Sequence, residues 1–157
     1  MESDFSELEA FCNRWKSTFE GDGFTNFIKQ FLLDMANKVV GIIKSNPNHP
    51  VDTGAMRAMW GIGSQKMSIT VSGTGMIEVD PESAQVTDIN VVGENLEVVI
   101  WNGMDYSSFI EYGARNRDGT WREGFFVMTF AIDDVQQQIP IRWEAAFSEF
   151  ILSHGLA

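Results

Sequence analysis

The run Pro50-Val51-Asp52-Thr53-Gly54-Ala55-Met56-Arg57-Ala58-Met59-Trp60 stands where one regime of hydrophobic spacing gives way to another. Upstream, Phe24, Phe27, Ile28, Phe31, Leu32, Met35, Val39, Ile42 and Ile43 recur three and four apart, the rhythm of an amphipathic helix. Lys29, Asp34, Lys38 and Lys44 take the opposite face, with lysines toward the C-terminal end that the helix dipole makes negative. Asn46-Pro47-Asn48-His49-Pro50 ends this helix, because each proline disfavours helical backbone in the residue before it. Downstream, Gly61 and Gly63 open extended chain, and Met67-Ser68-Ile69-Thr70-Val71 alternates as a half-buried strand does.

The run itself is turn chemistry. Pro50 stiffens its entry, and Asp52 or Thr53 offers an oxygen to the free N–H groups of a helix starting near Gly54. Gly54 admits the close approach of another backbone. Arg57 and Trp60, three apart, share a face and tie the run to the rest of the domain.

Working outward, Phe5 to Phe19 forms a first helix with Phe5, Leu8, Phe11 or Cys12, Trp15 and Phe19 on one stripe. Gly21-Asp22-Gly23 interrupts it, and its stripe suits either the core or an arm laid on a neighbour. Toward the C-terminus, residues 85–92 and 96–101 read as strands around Gly93-Glu94-Asn95, an antiparallel hairpin. Ser72 to Ala84 reads as a long loop or a protruding hairpin; a loop of that length predicts mobility in the free subunit. A short helix over Tyr106–Tyr112 has Asp105 to cap it and Gly113 to end it in the left-handed conformation. Glu111 on that helix has the shape to pair with Arg57. A polar loop, Ala114–Thr120, precedes a last helix from about Gly124 to Ser153, which Pro140 should kink or split.

These elements predict an α+β fold. An antiparallel β-sheet of about three to four strands packs against a long helix in the N-terminal half and a kinked C-terminal helix. Residues 1–22 are expected to form an N-terminal helical arm and residues 23–157 a single α+β domain. With 44% hydrophobic residues, 12 Phe and 5 Trp, there is material for a packed core and no case for a disordered chain.

Charge and composition remove several function classes. Eleven basic residues stand against 22 acidic, a net −11, which argues against tight binding to nucleic-acid phosphates. From Met67 to Ala114 there is no Lys or Arg, yet Glu78, Asp80, Glu82, Asp88, Glu94, Glu97, Asp105 and Glu111 all fall there. That stretch reads either as a solvated sheet face or as a surface that repels polyanions. One cysteine, Cys12, forms no intramolecular disulfide and suits a reducing cytoplasm. Neither a signal-peptide pattern nor an apolar run near the roughly 20 residues of a membrane span is present, so no membrane role is expected.

No constellation for chemistry emerges. His49 and His154 sit in proline-flanked and near-terminal contexts, and Glu78 and Asp80 read as one strand face rather than as metal ligands. Cys12 lacks a nearby histidine, and Gly73-Thr74-Gly75 lacks the helix and lysine of a phosphate cradle. No catalytic residue, cofactor or metal is expected, and the chain reads as no enzyme.

The Pro50–Trp60 run, Asn102, Tyr106…Phe109-Ile110-Glu111-Tyr112-Gly113 and Trp121…Gly124-Phe125-Phe126-Val127-Met128 together resemble a bacteriophage family. It is the tail-completion (neck, head–tail joining) family of long-tailed phages, of the gene-ten type. Its order of elements covers residues 24 to 153, while the N-terminal helix and the acidic Gly73–Asp88 segment look like local elaborations. The resemblance makes Asp52, Thr53, Gly54, Arg57, Trp60, Glu111, Gly113 and Trp121 a structural motif. It implies a virion structural protein at the head–tail junction or tail end, in the host cytoplasm during assembly. It further implies a homo-oligomeric ring, expected as a hexamer, joined to connector and tail-tube or tail-terminator proteins. DNA would pass through without specific binding, and Glu78, Asp80, Glu82, Asp88, Arg115 and Arg117 become the candidate lumen or partner surface. An acidic DNA mimic that inhibits a host DNA-acting enzyme is the alternative; a small carboxylate hydrolase is a third class.

Overall fold

The computed structural model describes residues 6–50, 54–63, 69–71, 77–79, 89–92 and 95–156, with 69–71, 77–79 and 90–92 described by their backbone pairing. The fold is α+β. The first two helices fall where the periodicity puts them: α1 spans Ser6–Glu20 and α2 spans Asp22–Ser45. Only Gly21 separates them, and a Cβ there would lie 2.9 Å from the carbonyl oxygen of Ser17. Asp22 and Gly23, expected in the break, instead open α2, where the Asp22 carboxylate sits in the positive first turn.

The chain divides into two compact units, one built from Met1–Leu32 and Gln138–Ala157, the other from Leu33–Gln137. The first unit is helical and held by rings. Phe19, Phe24 and Phe27 from α1 and α2 meet Phe147 and Phe150 of α5 (Val127–Ser153), with the closest centroids, Phe27 to Phe150, 4.6 Å apart. Phe31 meets Trp143 edge-on at 5.1 Å, and Trp15 stacks on Phe19 at 4.7 Å. Each offset or edge-to-face pair adds about 0.5–1.5 kcal/mol beyond the area it buries. The unit closes with a C-terminal cap. Gly155 at φ 64 lets Leu156 N–H reach Ile151 O at 3.1 Å and its own N–H reach Leu152 O at 3.1 Å. That is the six-to-one and five-to-two bonding of a Schellman ending, and Leu156 is buried as its apolar anchor.

In the second unit the buried apolar residues are Met35, Ala36, Val39, Val40 and Ile43 from α2, with Ala55, Met56, Met59 and Trp60 after the turn. Val127, Ala131 and Val135 join them from α5, spaced four apart on one stripe. The run after the turn forms a short α3 over Ala55–Ala58 and then β1 over Trp60–Ile62. β2 (Ile69–Val71) pairs antiparallel with β3 (Ile77–Val79); the rest of the 72–84 segment, expected as a long loop or a protruding hairpin, lies outside the described residues. β4 (Asn90–Val92) pairs with β5 (Asn95–Glu97), which is the expected hairpin. β6 (Ile100–Asn102) leaves that hairpin and pairs with β1, Trp60 facing Asn102 and Ile62 facing Ile100. After α4 (Ser107–Tyr112), β7 (Gly113–Arg115) pairs with β8 (Trp121–Glu123).

Three expectations are corrected or narrowed. The single sheet of three to four strands is replaced, among the described residues, by four two-stranded antiparallel pairs. Every strand is three residues long, and glycines at positive φ, Gly63 at 85° after β1 and Gly113 at 92° entering β7, redirect the chain before a third strand extends a pair. The polar loop 114–120 shrinks to 116–120 because Gly113–Arg115 enters the β7–β8 ladder. Of the two outcomes expected at Pro140, a kink or a split, the split does not occur: α5 runs from Val127 to Ser153 with Pro140 inside it.

Two glycine substitutions separate backbone cost from backbone benefit. Gly155→Ala forces a Cβ into the left-handed conformation and is expected to cost about 1 kcal/mol. Gly41→Ala, on the exposed face of α2 with nothing within 4 Å of the new Cβ, should gain about 0.5–1 kcal/mol. Chemical denaturation of the full chain measures both, and the opposite signs are the check.

Candidate functional site

The C-terminal motif block folds into a corner around one buried carboxylate. Glu111 is only 4% exposed and lies on the last turn of α4. Its Oε2 accepts the Met128 N–H at 2.9 Å; its Oε1 accepts the Thr129 N–H at 2.9 Å and the Thr129 hydroxyl at 2.7 Å. Met128 and Thr129 are the second and third residues of α5, where backbone N–H groups have no partner within the helix. Glu111 therefore does, from another helix, what an N-cap side chain does, and its charge meets the positive end of the α5 dipole.

The backbone completes the corner. Phe125 N–H donates to Ile110 O at 2.7 Å and Phe126 N–H to Glu111 O at 3.1 Å, which turns the chain into α5 with Phe126 at φ 50. This approach leaves no space for side chains at two positions. A Cβ at Gly124 would collide with the Glu111 carbonyl oxygen, and one at Gly113 with the Arg122 carbonyl oxygen. Gly113 has positive φ as expected, but with ψ 176 it lies in the extended glycine-only region rather than the left-handed helical one. Asp105 does not cap α4. Its N-cap is Tyr106 without a side-chain bond, and Ser107 N–H uses the Met104 carbonyl at 2.9 Å instead.

The proposed ion pair between Arg57 and Glu111 is not formed. The Glu111 oxygens are taken by α5, and the Arg57 guanidinium donates to the carbonyls of Asn46 and His49, both at 3.3 Å. Those carbonyls follow the C-terminal end of α2, where a cation is favoured. Beside them lies a residue that sequence reasoning misplaced. His49, read as part of a loose proline-flanked loop, is 2% exposed. Its Nε2 takes the indole N–H of Trp60 at 3.1 Å, and its Nδ1 faces Pro50 O at 3.0 Å. An indole only donates and a carbonyl only accepts, so the ring is the neutral tautomer with its proton on Nδ1. Asn102 locks the other side, donating to Met56 O at 2.8 Å while its Oδ1 accepts Met104 N–H at 3.0 Å. No spacing rule links His49 to Trp60; only the turn between them does.

The remaining motif positions scatter. Asp52 and Thr53 lie outside the described residues. Gly54 is justified by its φ of 79 rather than by a close backbone, since nothing lies within 4 Å of its Cβ position. Trp60 is buried, but Trp121 is 63% exposed. Of the acidic surface, Glu78 lies on β3, and Asp80, Glu82 and Asp88 lie outside the described residues. Arg115 and Arg117 are exposed on the β7–β8 hairpin, where Arg115 Nε donates to Gly119 O at 3.3 Å. In the same turn Asp118 accepts from the Thr120 hydroxyl at 2.7 Å and its N–H at 2.9 Å. Phe109, Tyr112, Phe125 and Phe130 are exposed, and Tyr112 lines a pocket of about 180 Å³ together with Trp60, Trp101, Ser107, Ser108 and Glu111. Among the described residues no group of three or more His, Cys, Asp or Glu could hold a metal ion, and no helix is long and apolar enough to cross a membrane.

Buried polar groups spent on caps and turns, with rings left outside, define a scaffold of fixed corners. The chain belongs to the HK97-gp10-like family, described as "Bacteriophage HK97-gp10, putative tail-component", which matches residues 9–113. It is a component of a phage tail. The match takes in the run Gly54–Trp60 and the corner as far as Gly113; the β7–β8 hairpin and α5 lie beyond it. No curated protein and no solved structure matches the chain.

Two measurements probe the corner. Glu111→Gln keeps the shape but points an amide NH₂ at a backbone N–H, and should cost about 2–3 kcal/mol by chemical denaturation. At the hairpin tip, the Thr120 hydroxyl and then the Thr120 N–H hold the Asp118 carboxyl below its ordinary value of 3.8. The ordering contributed by this lowered group is present above that ordinary value and is lost as pH falls through the folded one. An NMR titration should therefore place the Asp118 midpoint below 3.8, returning toward it in Thr120→Val.

Proposed function

We propose that this tail component is a virion structural protein of the head–tail junction or tail end, without catalytic activity. It assembles as a homo-oligomeric ring that joins the connector to tail-tube or tail-terminator proteins. Family membership over residues 9–113 is the observation that carries this reading. The construction of the domain supports it. Glu111, His49, Asn102 and Arg57 are engaged in holding backbone, which suits a part that must keep its shape under load.

The charge distribution supplies a mechanism. DNA has to pass a neck or tail end without adhering, and carboxylates facing the lumen repel phosphates over about a Debye length, roughly 8 Å at physiological salt. The base-free stretch from Met67 to Ala114 carries the acids for such a lining, and Glu78, Asp80, Glu82 and Asp88 are the residues assigned to it. Arg115 and Arg117, on the far side of that stretch in sequence, are assigned to protein partners.

Phage carrying Glu78→Lys, Asp80→Lys, Glu82→Lys and Asp88→Lys together are expected to assemble particles that eject DNA poorly, with titre reduced at least about tenfold. Electron microscopy of purified particles locates the ring at the neck or tail end. Normal titre and ejection in the charge-reversed phage would remove the lumen assignment, and absence of the protein from particles would remove the virion role.

A further inference from the structure

Two exposed apolar faces on this chain have complementary rims. The first is α1, a helix of fifteen residues with none buried. Leu8, Phe11, Cys12 and Trp15 follow one another at the spacing of one helical face, and Leu8 is 57% exposed, Phe11 36% and Trp15 38%. Acids open this helix: Glu7 and Glu9 sit in its first turn. The second is the outer side of the Glu111 corner. Phe109 and Tyr112 are three apart on α4 and more than half exposed, Trp121 on β8 is more exposed still, and Tyr112, Ser107 and Ser108 line one pocket. Its rim is basic. Arg115, Arg117 and Arg122 are three of only eleven basic residues in the chain, and all three are exposed on the β7–β8 hairpin.

We infer that the apolar face of α1 of one copy docks on the aromatic corner of a second copy, with Glu7 and Glu9 directed to the arginines of the β7–β8 hairpin. Tryptophan, tyrosine and arginine are the side chains that dominate protein interfaces, and here they crowd one hairpin and one helix that the fold leaves uncovered. An amphipathic helix laid in an apolar groove is a recurrent docking mode, and the opposite charges at its ends set its direction. Because the two faces differ, the contact is heterologous: each copy offers α1 to one neighbour and its corner to the other. Such contacts close into rings when the rotation permits. The inference rests on the ring proposed above and names the contact that builds it.

The native Cys12 lies on the docking face and supplies the test. In full-length Phe109→Cys, mild oxidation should produce a ladder of disulfide-linked multimers, since a disulfide requires Cβ atoms about 3.5–4.5 Å apart. The ladder should be missing from the parent chain, which has one cysteine, and from Phe109→Cys with Cys12→Ser. Independently, Phe11→Glu and Tyr112→Glu should each weaken self-association at least about tenfold in light scattering, with circular dichroism unchanged. A link formed within one chain, or a parent chain that assembles while neither the ladder nor the weakening is seen, overturns the docking and leaves the ring standing. A parent chain that stays monomeric at all concentrations overturns the ring and the docking together. Corner variants that lose binding to a labelled oligonucleotide while self-association persists would assign the arginines and rings to nucleic acid, and overturn the docking as well.

Discussion

A buried carboxylate held by the first turn of a helix it does not belong to is the constraint on which the second unit depends. Glu111 accepts from Met128, Thr129 and the Thr129 hydroxyl, and so sets where α5 begins. With that helix start in place, Val127, Ala131 and Val135 face the buried side. The close backbone contact that positions the carboxylate also explains Gly113 and Gly124, which have no space for a Cβ. The charge of Glu111 is balanced by backbone dipoles rather than by a cation, which leaves Arg57 for the carbonyls beyond α2.

The other corner works by the same economy of polar groups. His49, Trp60, Arg57 and Asn102 each satisfy a group that the turn after α2 or the end of β6 leaves open. Buried polar networks of this kind favour one geometry because alternatives strand further donors or acceptors, although Arg57 Nε itself has no partner here. Cohesion in the helical unit is of a different kind. Rings from α1, α2 and α5 interlock there while remaining half-exposed, and Phe150 and Leu156 are its buried apolar residues.

For a phage tail component this division of labour is physically sensible. Glu111, Gly113, Arg57 and Trp60 are engaged in the frame, while Trp121 and the hairpin arginines stay exposed. Asp118 and Thr120 show the pattern at small scale, shaping the tip of the β7–β8 hairpin that carries the exposed arginines.

Much of the fold was legible in the chain because local spacing decides it. The three-and-four rhythm from Phe24 to Ile43, the break signals at Gly21-Asp22-Gly23 and Asn46–Pro50, and the Gly93-Glu94-Asn95 signal each act within a few residues; α1, α2 and the β4–β5 pair lie close to where they indicate, with Asp22, Gly23 and Asn95 taken into the elements. The family resemblance was legible for the same reason, since its motifs are short and ordered. What spacing cannot express is which distant groups meet. Glu111 sits seventeen and eighteen residues from its donors, and forty-six residues separate Asn102 from Met56. Arg57 had two chemically reasonable partners, and only the packed turn decided that carbonyls, not Glu111, would receive it. Sheet size was lost likewise, because strand pairing depends on where positive-φ glycines turn the chain in three dimensions. The sequence by itself determined the helices, the hairpin and the family; the tertiary structure decided the partners of Glu111, His49, Arg57 and Asn102, because burial makes an unsatisfied donor costly and only the folded chain shows which acceptor is within reach.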